Sequence, residues 1–234
     1  MNKVFLLFLV CIMISCGEKQ HDLTVKGHIA GLKKGTVYLK KLNDSALVNV
    51  DSLVMNGNSN FELHSAIESP EIFFLFLDKN SAQEDGISFF ADKGITEINS
   101  TLKNFTYDAE IKGSEQQKVL DDYRKMISKF NGRNLDLIKD KFDAQREGDT
   151  SKISTIEKQY DNIIKRRYLF TVNFALNNKD SEVAPYLALS EIYNAKLTLL
   201  DTINKSLTPK VKASKYGKEL QTFIDEIKAA EKVN

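Results

Sequence analysis

Three histidines and two cysteines are the side chains of this chain best suited to ligate a metal or act as nucleophiles. A zinc site needs three or four His, Cys or carboxylate groups brought together. His21 lies in a polar segment, and His28 and His64 fall on the polar phase of two predicted strands. The pattern predicts exposed histidines and no metal site, with a zinc pair of His28 and His64 across neighbouring strands as the alternative.

A serine nucleophile would need His28 or His64 as its base, and the chain has no Gly-x-Ser-x-Gly turn. The carboxylates Asp121-Asp122 are neighbours on a predicted helix, so their side chains diverge. We therefore expect no catalytic residues, no cofactor and no enzymatic activity. A hydrolase that uses an unrecognised site is the least favoured alternative.

Both cysteines lie near the beginning of the chain, in or just after an apolar run. The run from Val4 to Ile14 follows a basic start and leads into Ser15-Cys16. This layout is typical of a signal peptide. The eleven residues of the run would span only about 16 Å as a helix, roughly half of the ~30 Å hydrocarbon core, which disfavours a membrane span.

The segment Met13-Ile14-Ser15-Cys16 resembles the lipobox of bacterial lipoproteins. In that family the cysteine is diacylated and becomes the first residue after cleavage. The resemblance implies lipidation at Cys16 and attachment to a membrane through an N-terminal lipid, and ordinary secretion is the alternative. By the same analogy Gly17, in place of an Asp, favours the outer membrane over the inner one. Cys11 would leave with the signal peptide, so no free thiol or disulfide would remain.

The chain carries 33 basic and 32 acidic side chains. This balance gives no reason to expect nucleic acid as a partner. Its one concentrated basic group consists of Lys165, Arg166 and Arg167 on a predicted helix. We expect a solvated helix face there, and contact with anionic lipid headgroups is the alternative.

In the first half of the chain, apolar and polar residues alternate from Leu23 onwards, which predicts half-buried strands. Asn56-Gly57-Asn58 predicts a hairpin turn, and Phe105, Tyr107 and Ile111 close the predicted series of seven or eight strands.

The run from Ile72 to Leu77 is apolar without alternation, so we expect a strand covered on both faces, with helices as its outer cover. Its aromatic residues are expected in the core, but they would form a partner surface if the helices left them uncovered: Phe73, Phe74 and Phe76.

After Gly113-Ser114 the hydrophobic period changes to 3.6, which predicts helices. Ser114 is expected to cap the first helix and Asn131-Gly132 to end it. Leu135, Ile138 and Phe142 give the second helix an apolar face, and Gly148 ends it. Further helix starts are expected at Asp149, Ser181 and Thr208-Pro209. The helices are expected to pack as antiparallel hairpins, partly against each other and partly against the strands.

The predicted fold class is α+β, with an N-terminal all-β sandwich or partly open barrel followed by an all-α helical-hairpin domain. The predicted domains are a signal peptide at 1–15, a lipidated cysteine with a short tether at 16–22, a β-sandwich at 23–112 and a helical domain at 113–234.

Several segments resemble lipid-anchored bacterial proteins in which an amino-terminal domain of unknown function and a helical insert precede a thioredoxin-like domain of the AhpC/TSA type. The segments are Val25-Lys26-Gly27-His28-Ile29, Gly35-Thr36-Val37-Tyr38-Leu39, Val50-Asp51-Ser52, Asn56-Gly57, Phe61, Ile111-Lys112-Gly113-Ser114-Glu115, Ser181-Glu182-Val183-Ala184-Pro185-Tyr186 and Ser214-Lys215-Tyr216-Gly217. In those proteins a Cys-x-x-Cys follows at about the position of Asn234. No cysteine lies beyond Cys16 here, so the redox activity of that family has no residues to rest on.

The sequence thus predicts a lipid-anchored cell-envelope protein, facing the periplasm or attached to the outer membrane, that acts as a non-enzymatic binding or scaffold module. The alternative is an accessory subunit that docks a separate partner of thioredoxin-like fold. A small-molecule ligand is left open.

Overall fold

The computed structural model describes residues 22–44, 46–78 and 86–233. Within these residues the chain forms eight strands followed by six helices, so the predicted α+β class is confirmed. The strands are β1 (Leu23–Ala30), β2 (Lys34–Asn43), β3 (Ala46–Asn56), β4 (Asn60–Ser65), β5 (Glu71–Leu77), β6 (Ile87–Ala91), β7 (Gly94–Thr101) and β8 (Glu110–Lys112). The helices are α1 (Glu115–Glu147), α2 (Thr150–Asn177), α3 (Val183–Ser190), α4 (Leu197–Ser206), α5 (Pro209–Ala213) and α6 (Lys215–Val233).

The strands form two four-stranded sheets, with the orders β4-β1-β7-β8 and β3-β2-β5-β6. β1 pairs antiparallel with β4 and parallel with β7. Side chains from both sheets share one buried cluster, which includes Val25, Ile29, Leu39, Phe73 and Phe89. The two sheets therefore pack face to face as a sandwich, the first of the two predicted architectures.

β5 is covered on both faces, as its uninterrupted apolar sequence predicted. Phe73 and Leu75 point into the sandwich core. Ile72 and Phe74 belong instead to a second cluster, which they form with side chains of the helices. That cluster includes Leu120, Tyr123 and Ile127 of α1, Val183 and Leu187 of α3, and Tyr216 of α6.

α1 is one continuous helix, and the predicted end at Asn131-Gly132 is wrong. A glycine inside a helix costs only about 1 kcal/mol relative to alanine. Packing against α2 on both sides of this point offsets that cost: the rings of Phe130 and Phe170 are 5.9 Å apart, and Leu137 shares a buried cluster with Ile156.

The predicted helix start at Ser114 and the predicted helix end at Gly148 are confirmed, and together they bound α1. The Ser114 hydroxyl accepts a hydrogen bond from the Gln117 N–H, as an N-cap does. Gly148 adopts a left-handed conformation, with φ of 70°, and closes α1 before Asp149 caps α2.

One predicted strand is a turn in the structure, and one helix was not predicted. The segment around Phe105 and Tyr107 is a turn, held by a bond of 2.6 Å from the Ser100 hydroxyl to the Phe105 carbonyl. Tyr107 is consequently 93% exposed, and only Ile111 lies in a strand. Helix α4 was not predicted, and its N-cap residue Lys196 makes no side-chain capping bond that could have announced it.

The predicted signal peptide at 1–15, the lipidation site Cys16, His21 and nearly all of the tether lie outside the described residues. In the part of the chain that is described, no helix is both long and apolar enough to cross a bilayer.

Candidate functional site

The N-terminus of α1 is capped by a side chain of the sandwich. The first amides of a helix have no partner inside the helix. Asp92, directly after β6, accepts hydrogen bonds from the N–H groups of Glu115, at 2.6 Å, and Gln116, at 3.3 Å. Ser114 accepts from Gln117 at 2.9 Å. The start of α1 is thereby fixed to the second sheet.

Gln117 extends this connection to the edge of the sheet. Its side-chain oxygen accepts a hydrogen bond of 2.7 Å from the backbone N–H of Phe90 in β6. Its amide nitrogen donates to Asp121 at 2.7 Å. Burial raises the pKa of the Asp121 carboxyl, a shift that the bond from Gln117 opposes. The open edge of β6 is thus paired with α1.

α6 contacts the same outer face of this sheet as α1, since Tyr216 shares a buried cluster with Leu120, Ile72 and Phe90. The Tyr216 hydroxyl accepts a hydrogen bond of 3.0 Å from the buried N–H of Ile72, and its ring lies edge-on to Phe90 at 5.8 Å. Burial raises the pKa of the Tyr216 phenol. The backbone N–H of Ile72, near the start of β5, is therefore satisfied by a residue far along the chain.

A buried carboxylate joins the sandwich to the start of α6. Glu71 accepts hydrogen bonds from the ammonium groups of Lys41, at 3.1 Å, and Lys215, at 2.5 Å. The Glu71 side chain is buried, so pairing with the two lysines offsets the cost of its desolvation. The three residues form an ionic clamp between β2, β5 and α6.

A cleft of about 650 Å³ opens beside this clamp. Its charged lining is balanced, with three lysines and three glutamates: Lys41, Lys215, Lys218, Glu68, Glu71 and Glu219. Burial also raises the pKa of Glu219. Within this lining, Glu71 is paired with Lys41 and Lys215.

We call the region where the helices contact β5 and β6 the junction, which includes Glu71, Asp92, Gln117, Lys215 and Tyr216. Three segments that carried the family resemblance meet there. Segment 111–115 provides the cap of α1, and segment 214–217 provides Lys215 and Tyr216. Segment 181–186 contacts both regions: the Ser181 hydroxyl donates to the Gln116 side-chain oxygen at 2.5 Å, and the rings of Tyr186 and Tyr216 are 5.2 Å apart. Gly217 permits close contact between α5 and α6, since a Cβ there would lie 2.0 Å from the Val211 carbonyl oxygen. Sequence reasoning noticed the segments but could not foresee their contact.

The junction also contains carboxylate oxygens that are buried without a hydrogen-bond partner in the described structure. They are Oδ1 of Asp92 and Oε2 of Glu182, the residue that precedes α3. Only 1% of Glu182 is exposed. Burial raises the pKa of its carboxyl, and the negative charge of Asp92 acts in the same direction, while Lys210 opposes the shift.

The far half of the α1–α2 hairpin differs from the junction, and we call residues 131–166 the distal arm. α1 has 33 residues, about 50 Å of helix, of which residues 131–147 contribute about 25 Å. The buried residues of the distal arm are Leu137, Ala144 and Ile156, which pack between the two helices. An ion pair of 2.9 Å between Lys141 and Glu157 also joins α1 to α2.

One side of the distal arm exposes five large apolar side chains, which we call the distal face: Leu135, Ile138, Phe142, Tyr160 and Ile164. Leu135 and Phe142 are 66% and 67% exposed. Spacings of three, four and seven residues place each helix's members on one side. Ile138 and Tyr160 line a common groove of about 450 Å³ between the helices.

The aromatic residues of β5 do not form the partner surface considered from the sequence. Phe73 is fully buried between the sheets. Phe74 packs with the helices, and Phe76 is buried with the Lys40 ammonium 4.9 Å from its ring centre. The helices cover the outer side of the strand, so these residues belong to the core.

The predicted basic group is divided in the structure. Lys165 and Arg166 are exposed, whereas Arg167 pairs with Glu191 at 2.9 Å. Arg166 lines a second groove with Lys129 and Arg133, beside Phe130. Contact of Lys165, Arg166 and Arg167 with anionic headgroups stays a prediction.

The two described histidines lie on the outer side of the first sheet. His28 is exposed and its Nδ1 lies 2.7 Å from the Asn60 side-chain oxygen. His64 is paired in register with Thr24, four residues from His28 along β1 and so about 13 Å away. The register does not bring the two histidines together. Among the described residues no three His, Cys, Asp or Glu side chains are grouped to hold a metal ion.

Comparison with protein families identifies a domain of unknown function, DUF4369, at residues 23–120. The match spans all eight strands and the first six residues of α1, and so includes Asp92, Ser114 and Gln117. It confirms the prediction of an N-terminal domain of unknown function. Neither the comparison with curated proteins nor the comparison with solved structures found a match.

Proposed function

We propose that this DUF4369-containing chain is a non-enzymatic binding or scaffold module, held at the cell envelope by a lipid on Cys16, that contacts its partner through the distal face. The observation that carries the proposal is the contrast within one hairpin. Its near half is fixed to the sandwich by Asp92, Gln117 and the second apolar cluster. Its far half presents contiguous apolar side chains to solvent.

Such a surface does not stabilise the isolated protein, because each exposed apolar side chain lacks the stabilisation of about 1.5–3 kcal/mol that full burial would give. Contiguous exposed apolar groups on an otherwise polar protein are typical of interaction sites. The capped and clamped junction supports this role, since it would hold the distal arm at a defined angle to the sandwich.

A thiol reporter tests whether the distal face is covered in the cell. Both cysteines of the sequence lie at or before position 16, so Ile164→Cys adds a thiol in a region without any. We expect slower maleimide labelling of this thiol in intact envelopes than in the purified protein. Leu169→Cys is the control, because Leu169 is 55% exposed on the same helix but outside the distal face. Equal labelling of Ile164→Cys in both settings would contradict the binding role.

The lipid anchor has its own test. Cells that grow with a radioactive fatty acid should label the wild-type chain and not the Cys16→Ala variant. A diacylated cysteine carries more than one acyl chain, as stable attachment requires. Label that persists in the variant would remove the anchor from the proposal.

The alternative proposal is an accessory subunit that docks a separate thioredoxin-like protein. The DUF4369 domain together with the quoted segments supports it by resemblance. Crosslinking followed by purification under native conditions separates the two, since repeated recovery of a thioredoxin-fold partner favours the alternative. Its absence, with Ile164→Cys still protected, favours the scaffold.

A further inference from the structure

We propose that the occupant of the distal face is a second copy of this chain, so that two distal arms pack against each other as a four-helix bundle. The inference rests on the proposed function, because it requires the distal face to be a binding surface. The apolar side chains, the charges and the area of the distal face are the grounds for this choice of partner.

The first argument is the number of neighbours that each helix has. In the described structure, the apolar cluster of the distal arm contains residues of α1 and α2 alone: Leu137, Ala144 and Ile156 are buried, and Ile153 and Ile163 are partly buried against them. Helix pairs of this kind normally bury a wider apolar stripe inside a bundle of four. A second hairpin across the distal face supplies the two missing helices and encloses Ile138 and Tyr160.

The second argument is charge. The distal arm, residues 131–166, carries eight basic and seven acidic side chains. Both signs border the groove, where Lys141 pairs with Glu157 and Asp161 lies beside them. A strongly acidic or strongly basic partner would meet like charges along about half of this border. A twofold-related copy can place basic groups of one arm near acidic groups of the other.

The third argument is area. A face about 25 Å long and about 20 Å wide, the width of two helices, offers roughly 500 Å² to a partner. Stable complexes bury about 800 Å² on each side. The distal face alone therefore supports a weak dimer. Tethering both copies to one membrane would raise their effective concentration, so that a weak contact suffices there.

A photocrosslinking experiment in cells identifies the occupant. A photoreactive benzoylphenylalanine replaces Tyr160 in the full chain, and in the control it replaces Tyr107, which is 93% exposed on the sandwich. We expect a covalent dimer of this chain from position 160 and none from position 107.

Three results would overturn the inference. They are a crosslink from position 160 to a different protein, no crosslink from position 160 to any protein, and equal dimer yields from both positions. The first leaves the proposed function intact. The second removes the proposed function as well only if the Ile164→Cys thiol is also unprotected.

A pair of matched serine variants ties the dimer to the distal face. Leu135→Ser combined with Phe142→Ser should lower the yield of the covalent dimer at least about tenfold, because buried apolar anchors dominate small interfaces. Leu169→Ser should leave the yield unchanged. Both proteins should unfold at the wild-type urea concentration, which excludes misfolding as the cause. An undiminished yield in the double variant contradicts the inference.

Discussion

The β-sandwich buries its aromatic side chains, whereas the distal arm leaves large apolar side chains exposed. In the sandwich, both sheets and the helices enclose the aromatic residues, and Phe73, Phe89 and Phe90 are fully buried. In the distal arm, two helices share a narrow seam and leave Phe142 mostly exposed. The sandwich and its junction therefore bury most of their apolar side chains, while the distal arm leaves several of its own exposed.

The largest effect should come from the enclosed core. Phe73→Ala should lower the free energy of unfolding by about 3–5 kcal/mol, because it removes a fully buried ring and leaves a cavity between the sheets. Urea denaturation measures the change. A loss below about 1 kcal/mol would show that the core is less closely packed than the structure indicates.

A smaller loss is expected at the junction. Tyr216→Phe keeps the ring and its contact with Phe90 but leaves the buried N–H of Ile72 without its acceptor. An unsatisfied buried group of this kind costs about 1–3 kcal/mol. The exposed Tyr107→Phe serves as the control and should change the free energy by less than about 0.5 kcal/mol.

The junction should also show a dependence on pH. Burial raises the pKa of Glu182 in the folded protein, so between the unfolded value and the raised one the folded state binds more protons. The contribution of Glu182 to stability is complete below the unfolded pKa and falls as the pH rises through the folded pKa.

Glu182→Gln replaces the carboxyl with an amide that does not titrate, so it removes the contribution of this residue to the pH dependence of stability. The unfolding free energy of the variant minus that of the wild type should therefore increase as the pH rises from about 4, near the unfolded pKa of a glutamate. Denaturation series at several pH values measure the difference. A difference that stays constant or decreases with pH would mean that the pKa of Glu182 is not raised in the folded protein.

The smallest effect should come from the distal arm. Phe142→Ala, chemically the same change as Phe73→Ala, should alter the unfolding free energy by less than about 0.5 kcal/mol in dilute solution. The ring is 67% exposed, so little burial is lost. A loss as large as that of Phe73→Ala would show that the ring is buried in the isolated protein, and the contrast between the two regions would disappear.

The sandwich and the helix ends could be predicted from the sequence because their causes are local. Alternation predicted that Val25 and Ile29 face inward, and Ser114 and Gly148 predicted a helix start and a helix end, as observed for α1. The end predicted at Asn131-Gly132 failed because the neighbouring helix α2, which no local pattern describes, offsets the cost of the glycine.

The distal face shows a second limit of periodicity. Leu135, Ile138 and Phe142 repeat like a core stripe, and they were expected to be covered within the chain. The spacing specifies that they share one side of a helix, but it does not specify whether that side is covered within the chain, and the structure leaves all three exposed. The contacts of the junction could not be predicted for a related reason. Asp92 and Glu71 bind residues that are distant in the sequence, and no local pattern relates them.

The position of β1 has a mechanical consequence. This strand follows residue 22 and lies between two neighbours, in register with β4 over six residue pairs and with β7 over eight. Tension applied at its beginning and directed along the strand would load both ladders in shear, so that many hydrogen bonds share the force. A pull at the free edge strand β4 could instead separate its single ladder bond by bond.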